Sequence, residues 1–192
     1  TPLPAKLKAN FRFCEKNTLN IGLAGGISNQ VYNAASLFDP NTTGGGAQPR
    51  GFDQLMVLYR KYTVIGSKIT VHFIPQSTIQ SYICAINLKS IATVETSIVD
   101  VAESSFSVID ASNGSSKGPH KLMQTYTPKF TGNTNPLDDE ELGGSVSTSP
   151  VNSSYFHLSA ESATANDEGP IGIFAIIEYT AILHDPYRPA QS

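Results

Sequence analysis

Apolar and polar residues alternate along several short stretches of the chain. In the first, from Lys6 to Phe13, apolar residues at odd positions are separated by Lys8, Asn10 and Arg12. Successive side chains of a strand point to opposite faces of a sheet, so this pattern predicts a half-buried strand. Three later stretches repeat the pattern. Their predicted inner residues are Ile65, Ile69, Val71 and Phe73 within Tyr62 to Ile74, then Tyr82, Cys84, Ile86 and Leu88, and finally Phe156, Leu158 and Ala160, which alternate with a wet face of His157, Ser159 and Glu161.

Proline and glycine mark the ends of further elements. A strand is predicted from Val31 to Phe38, closed by Asp39-Pro40, and another from Leu122 to Phe130, ending around Pro128. A long loop follows the first of these, and Phe52 to Leu58 predicts a short helical turn. Asn135-Pro136 predicts a second helical turn, because a capping residue precedes a proline. The stretch from Ser90 to Pro119 has no firm period and is left partly unassigned.

The last apolar stretch, Ile171 to Leu183, is apolar on both faces. It is too short, and too interrupted by Glu178 and Thr180, for the span of about 20 residues that a bilayer requires. We therefore expect no membrane insertion. A strand in the middle of a sheet, or one covered by a neighbouring subunit, fits the pattern better.

Repeated strands separated by long polar loops, with almost no helical period, indicate an antiparallel sandwich or barrel. The long crossing loops favour a jelly roll. The prediction is an all-β chain with one domain over residues 1–192: a single antiparallel eight-stranded jelly-roll sandwich with long loops and one or two short helical turns.

The composition predicts a surface with unusually few charged residues. Charged residues make up 15% of the 192 residues, well below the roughly 25% of an average soluble domain. Serine, threonine, asparagine and glutamine replace them, and such groups cost less than ions to desolvate when a partner covers them. The surface is therefore suited to burial between subunits. The formal net charge of −3 shows no excess of positive charge for binding a phosphate backbone.

The side chains that carry catalysis or bind metals form no recognisable set. The histidines, at 72, 120, 157 and 184, are far apart and are expected to be ordinary surface or strand-edge residues. The chain has no Gly-x-Ser-x-Gly elbow for a nucleophilic serine. Cys14 and Cys84 are expected to be buried thiols, because two cysteines are too few for a thiolate zinc site. We predict no enzymatic activity, no cofactor and no bound metal.

Two charged features leave alternatives open. The acidic run Asp138 to Glu141 has three possible roles. It suits the start of a helix, it can pair with basic groups across an interface, and it can hold a cation between subunits. Lys6, Lys8 and Arg12 project from the same face of the first strand. If that face lines a shell, these three residues contact nucleic-acid phosphates; otherwise they form a polar outer face.

The segment Gln48-Pro49-Arg50-Gly51-Phe52-Asp53-Gln54, continued by Tyr59 to Val64 and Gly66 to Ile69, resembles capsid proteins of circovirus-like, circular Rep-encoding single-stranded DNA (CRESS-DNA) viruses. In that family a proline-glycine loop leads through a short turn into a long strand. The residues that carry the resemblance are Pro49, Gly51, Asp53, Gln54, Tyr59, Tyr62, Ser67 and Lys68. The segments Asn33 to Pro40 and Ile177 to Pro186 resemble the family more loosely.

The resemblance implies a structural protein of the virion that self-assembles into an icosahedral T=1 shell around a circular single-stranded DNA genome. It also implies a host attachment receptor, which the sequence does not identify, and a passage through the host nucleus or cytoplasm during assembly. Such proteins begin with an arginine-rich arm that binds the genome. These 192 residues contain no such arm. Either most genome contact is made through an arm outside them, or this member of the family works differently.

A second hypothesis is a ligand-binding jelly roll, such as a lectin or a receptor-binding domain, because the same scaffold carries carbohydrate sites in its loops. Glycan binding by a stable monomer distinguishes it from a capsid protein.

Overall fold

The computed structural model describes residues 3–22, 26–44, 46–113, 119–164 and 166–187. They contain strands and two short helices, with 3-10 turns at Pro128–Thr131 and Glu140–Leu142. The elements in chain order are β1 (Lys6–Ile21), β2 (Ser28–Asn33), α1 (Phe52–Met56), β3 (Tyr59–Ile74), β4 (Ser81–Lys89), α2 (Ile98–Glu103), β5 (Ser107–Asn113), β6 (His120–Tyr126), β7 (Gly143–Gly144), β8 (Tyr155–Ser162) and β9 (Gly169–Pro186).

The strands form two antiparallel sheets. One has the order β1-β9-β3-β6, with the two-residue β7 also paired to β3, and the other has the order β2-β8-β4-β5. Strands that follow one another in sequence mostly lie in different sheets, so the connections cross between the two layers. Eight long strands in this arrangement are a jelly roll, and the predicted fold class is confirmed. The single-domain prediction covers residues outside the described ones and stays a prediction.

The core lies between the two sheets and is rich in aromatic side chains. Phe11 of β1, Phe52 of α1 and Tyr62 of β3 stack edge to face, with ring centroids 6.2 and 5.4 Å apart. Phe52 and Met56 are fully or almost fully buried, so α1 inserts its apolar side at one end of the sandwich. Each such burial contributes about 1.5–3 kcal/mol relative to an exposed side chain. The predicted helical turn at Phe52 to Leu58 is confirmed.

β9 is the central strand of its sheet and pairs with β1 on one side and β3 on the other. This confirms the prediction made from its two apolar faces. β1 begins at Lys6 as predicted and continues to Ile21, eight residues beyond the expected Phe13. Polar residues at Asn17 and Thr18 hid this continuation, although the inward positions Leu19 and Ile21 are buried. No described helix is both long enough and apolar enough to cross a membrane.

The second predicted strand is too long at its C-terminal end. β2 stops at Asn33, because its side-chain Oδ1 accepts a 2.9 Å hydrogen bond from the Ala35 amide and bends the chain. The Ala34 amide then donates to the Ser154 carbonyl at 2.7 Å. The residues that follow are buried but irregular.

β3 contains a bulge that shifts its inward face by one residue. The register with β9 slips between Val64 and Gly66, which leaves Val64 buried and Ile65 half-buried. The assignment of Ile65 to the inner face is therefore wrong, whereas Ile69, Val71 and Phe73 are confirmed. A prediction from strict alternation misses a bulge, because one extra residue exchanges the inward and outward positions of the strand beyond it.

The wet face predicted for β8 is also wrong, since His157 and Ser159 are 2% and 1% exposed. The unassigned stretch after β4 covers that face. His157 Nε2 lies 2.8 Å from the Ile91 carbonyl oxygen, and α2 packs Ile98 and Val101 over Ala85 of β4. The unassigned residues thus supply α2, β5 and a small second core.

The polar segment after β6 is irregular. β6 ends at Tyr126, in agreement with the stop predicted near Pro128, and that proline begins a 3-10 turn. The helical turn predicted at Asn135-Pro136 is a single turn closed by the Asp138 amide and the Asn135 carbonyl, 3.1 Å apart. Asp139 instead caps the next 3-10 turn, where its Oδ1 accepts from the Glu141 amide at 2.9 Å.

Candidate nucleic-acid interface

The outer face of the β1-β9-β3-β6 sheet is strongly basic. Because β1 buries its odd-numbered positions against the core, its even-numbered residues point outward. The register with β9, β3 and β6 brings further outward lysines beside them. We call this surface the basic face. Among the residues that the structure describes, seven exposed cations lie on it: Lys6, Lys8, Arg12 and Lys16 of β1, Lys61 and Lys68 of β3, and Lys121 of β6.

Asp185, at the exposed end of β9, lies 4.0 Å from Arg60. The carboxylate in the middle of the basic face is that of Glu178 of β9. Its Oε1 accepts from Arg12 Nη2 at 2.6 Å, and its Oε2 lies 3.1 Å from Lys68 Nζ. These hydrogen bonds, first from Arg12 and then from Lys68, hold the pKa of Glu178 below its usual range. At the edge of the face, Glu140 approaches Lys61 at 3.7 Å. The face still carries a large excess of positive charge.

Four acidic residues lie on the opposite side of the sandwich. Glu95, Asp100, Glu103 and Glu161 lie in or beside α2, which covers the outer face of the β2-β8-β4-β5 sheet. The Glu161 carboxylate accepts from the Ile98 amide at 2.7 Å, and Glu95 pairs with Lys89 at 2.5 Å. A chain of net charge −3 thus has one basic and one acidic side. The net charge of the whole chain conceals this separation.

One row of the basic face combines cations with aromatic rings. Lys16, Phe174, His72 and Lys121 lie side by side across β1, β9, β3 and β6. The Phe174 side chain is 37% exposed although β9 is the central strand. The rings of Phe174 and His72 are tilted by 32°, with centroids 6.4 Å apart. Beside them is an open cleft of about 540 Å³, lined by Lys16, His72, Ile74, Gln76, Pro119, Gly172, Ile173 and Phe174.

The structure places the three predicted phosphate-contacting residues together. Lys6, Lys8 and Arg12 are exposed on one face of β1, as the alternation predicted. Lys16 and Phe174 were missed. The signal for Lys16 was present, because it continues the even-numbered series once β1 is extended past Phe13. Phe174 lay in a stretch apolar on both faces, where nothing marks the side that faces outward.

The residues of the family-like motif mostly stabilise the fold. The buried Tyr62 hydroxyl accepts from the amides of Leu37 and Phe38 at 3.2 and 3.3 Å, and burial raises its pKa. The Ser67 hydroxyl donates to the Ala34 carbonyl at 2.6 Å. These bonds fix the irregular segment after β2 against β3.

The remaining motif residues lie in and before α1 and in β3, which begins at Tyr59. Gly51 precedes α1 with φ of 85°, Pro49 accepts from the Phe52 amide at 3.2 Å, and the Tyr59 hydroxyl donates to the Pro4 carbonyl at 3.1 Å. Asp53 and Gln54 are exposed on α1. Of the motif residues, Lys68 is the member that lies on the basic face. Most of the contacts that the motif residues make therefore stabilise the fold.

Two expectations about single residues are wrong. Cys14 is exposed on the outer side of β1, whereas Cys84 is buried as expected, and both thiols are free. Burial raises the pKa of Cys84 to about 12. His120 and His157 are core residues instead of surface ones, 6% and 2% exposed. His120 Nδ1 is 2.6 Å from an Asp110 carboxylate oxygen.

The acidic run is engaged within the chain. Asp139 accepts from the Asn133 side-chain amide at 2.6 Å, Asp138 accepts from the Asn135 side chain, and Glu140 faces Lys61. Within the described ranges, no three histidine, cysteine or acidic side chains are grouped so as to hold a metal ion. The helix-start interpretation therefore fits best, with Asp139 as the cap.

The fold is the jelly roll found in viral capsid proteins. The chain is similar to the decameric BFDV capsid protein, with TM-score 0.55 and 10% identity over 94% of this chain and 99% of that one. It is also similar to Turnip Yellow Mosaic Virus, with TM-score 0.53 and 13% identity over 98% and 99% of the chains. For Cocksfoot mottle virus the values are 0.51 and 12% over 92% and 96%. No family model and no curated protein matches the sequence.

Proposed function

We propose that this chain is a viral capsid protein, which packs against copies of itself to form an icosahedral shell around a nucleic-acid genome. The observation that carries the proposal is the combination of a capsid-type jelly roll with charge of opposite sign on its two sides. The described chain corresponds to nearly the whole length of the similar capsid chains. A function that resides in the jelly roll itself is therefore the simplest assignment.

The charge separation gives the subunit an orientation in the shell. A basic face is attracted to phosphates, and an acidic face is repelled by them. The face with Lys6, Lys8 and Arg12 therefore lines the interior and neutralises part of the genome. The side with α2 and Glu103 faces outward. Genome contact by these residues adds to that of any basic arm.

The assignment to one class of virus rests on the motif residues. Pro49, Gly51, Tyr62 and Lys68 resemble CRESS-DNA capsid proteins, which favours a circular single-stranded DNA genome and a T=1 shell. The proposed role is structural and not enzymatic, with the virion as its final location and the host nucleus or cytoplasm as the place of assembly. Repeated modest interfaces stabilise such a shell because every subunit makes several at once.

Electron microscopy of the purified chain, combined with analytical ultracentrifugation across salt and pH, tests assembly. We expect closed spherical particles of uniform size. A chain that remains monomeric or dimeric under every condition contradicts the proposal. If that monomer also binds a glycan on an array, the lectin hypothesis replaces it.

Phosphate binding by the basic face is tested by salt-dependent binding of the unassembled chain to a single-stranded oligonucleotide. Loss of one phosphate contact lowers the slope of log K against log salt by about 0.7. We expect this change for Lys8→Gln. Lys129→Gln, outside the four strands of the face, is the matched control and should leave the slope unchanged.

A further inference from the structure

We propose that Phe174 and His72 form a stacking site for an unpaired nucleotide base, flanked by Lys16 and Lys121 as phosphate contacts. This inference rests on the proposed function for the presence of a genome, and it adds a specific site and the single-stranded character of its ligand. The four residues form one row across the sheet. The row spans about 14 Å, which is three strand spacings of roughly 4.8 Å.

The exposed ring of Phe174 is the first argument for the site. β9 is the central strand of its sheet, yet its outward residue Phe174 is 37% exposed. On the same strand, the neighbouring outward position is Gly172, which has no side chain and leaves the cleft open beside the ring. An exposed aromatic ring next to a gap of this kind offers a flat apolar surface to a planar group.

The polar groups around the ring determine which planar group fits. Lys16 and His72 are the register partners of Phe174 on either side, and Lys121 is the partner of His72. Gln76 also lines the cleft and provides an amide. A ligand with an aromatic ring and negative charge nearby matches this set. A nucleotide base with its phosphates has both features.

The site favours single-stranded over double-stranded nucleic acid. In a duplex the bases stack on each other and their faces are not available to a side chain, whereas unpaired bases stack on exposed aromatic residues. The basic face extends from Lys16 along β1 to Arg12, Lys8 and Lys6. A single strand therefore has a path of positive charge from the stacking site along the edge of the sheet.

Binding of the unassembled chain to three fluorescent probes of equal length tests the site: oligothymidylate, the same backbone with abasic positions, and a duplex. We expect the chain to bind oligothymidylate most tightly. Phe174→Leu retains the apolar bulk but removes the stacking surface, so it should weaken oligothymidylate binding at least about fivefold, the lower end of the effect of one lost base stack. Its affinity for the abasic probe should not change.

Phe106→Leu is the matched control, because Phe106 is 53% exposed but lies outside the four strands of the basic face. It should bind all probes as the unchanged protein does. Two results for Phe174→Leu overturn the stacking site. One is an equal loss of affinity for oligothymidylate and the abasic probe, and the other is an unchanged affinity for both probes.

Particle formation separates this inference from the proposed function. If Phe174→Leu and the unchanged chain both form shells but oligothymidylate is bound no better than the abasic probe, the capsid role stands and the stacking site is wrong. If the chain forms no shell but Phe174→Leu selectively loses oligothymidylate, the site stands and the capsid role is wrong.

Discussion

The hydroxyl of Tyr179 donates a 2.7 Å hydrogen bond to the main-chain carbonyl of Asn33. Tyr179 is in the central strand of one sheet and Asn33 ends the edge strand of the other, so this bond joins the two layers through the core. Both residues are buried, 1% and 3% exposed. Burial raises the pKa of Tyr179 well above its ordinary value, so the phenol remains a donor at physiological pH.

Tyr179→Phe is expected to destabilise the fold by about 1–3 kcal/mol, because the ring still fills its space but the buried Asn33 carbonyl loses a donor. Urea unfolding of the unassembled chain measures the change. Tyr187→Phe is the matched control, since Tyr187 is 46% exposed and should change stability by less than about 0.5 kcal/mol. Equal stabilities for the two variants would show that the bond between the sheets contributes nothing.

A second prediction concerns the glycine that precedes α1. Gly51 has φ of 85°, a left-handed conformation that costs an L-residue roughly 1–2 kcal/mol. Gly51→Ala should therefore lower the unfolding free energy by about that amount, although a Cβ at this position meets no atom within 4 Å. Thermal unfolding measures it. Gly22→Ala is the control, because its Cβ is equally free of contacts and its φ is not positive.

The sequence predicted the fold well where each strand has one dry face. In β1, Phe11 and Phe13 alternate with the outward Asn10 and Arg12, and the structure buries the two aromatic residues as expected. The prediction failed where a face that is polar in sequence is covered by another segment. His157 is the example, because its cover comes from residues around Ile91, distant in sequence and without a clear period.

The basic face was predicted in part for a similar reason. Local alternation in β1 was enough to group Lys6, Lys8 and Arg12. That they share a face with Lys121 of β6 depends on the strand order, which places β9 and β3 between β1 and β6. Strand order is set by pairings between segments far apart in the chain, and one sequence gives no direct signal for it. For the same reason, the net charge of the whole chain does not reveal the basic face.

His157 is expected to make stability depend on pH. Burial lowers its pKa from the ordinary 6.5, and its contact with the Ile91 carbonyl only partly offsets this. The unfolded chain therefore binds a proton more readily than the folded one. The stability contributed by neutral His157 is fully present above pH 6.5, the pKa in the unfolded chain. It decreases as the pH falls below that value, and the decrease ends once the pH is below the pKa of the folded state.

His157→Gln does not titrate and retains an amide that donates to the Ile91 carbonyl. Its unfolding free energy should fall less than that of the unchanged chain between about pH 7 and 5, the range in which histidine titrates. Urea unfolding of the unassembled chain at a series of pH values measures the difference. Parallel pH profiles for the two proteins would assign the pH dependence to other groups.

Glu178→Gln should strengthen nucleic-acid binding. Its carboxylate is shared by Arg12 and Lys68 in the middle of the basic face. Glutamine retains an oxygen that accepts from Arg12 but removes the negative charge. Because one charge at about 4 Å is worth roughly 1 kcal/mol in water, affinity for a single-stranded oligonucleotide should rise about fivefold at low salt.

The control for this prediction is Glu103→Gln, which removes the same charge from α2 on the opposite side of the sandwich. Its effect should be small at physiological salt, because charges beyond about 8 Å are screened. Binding measured by fluorescence anisotropy at two salt concentrations distinguishes the variants. If both raise affinity equally, net charge and not the position of Glu178 governs binding, and the basic face has no special role. If Glu178→Gln alone binds more tightly, the oligonucleotide lies close to Arg12 and Lys68.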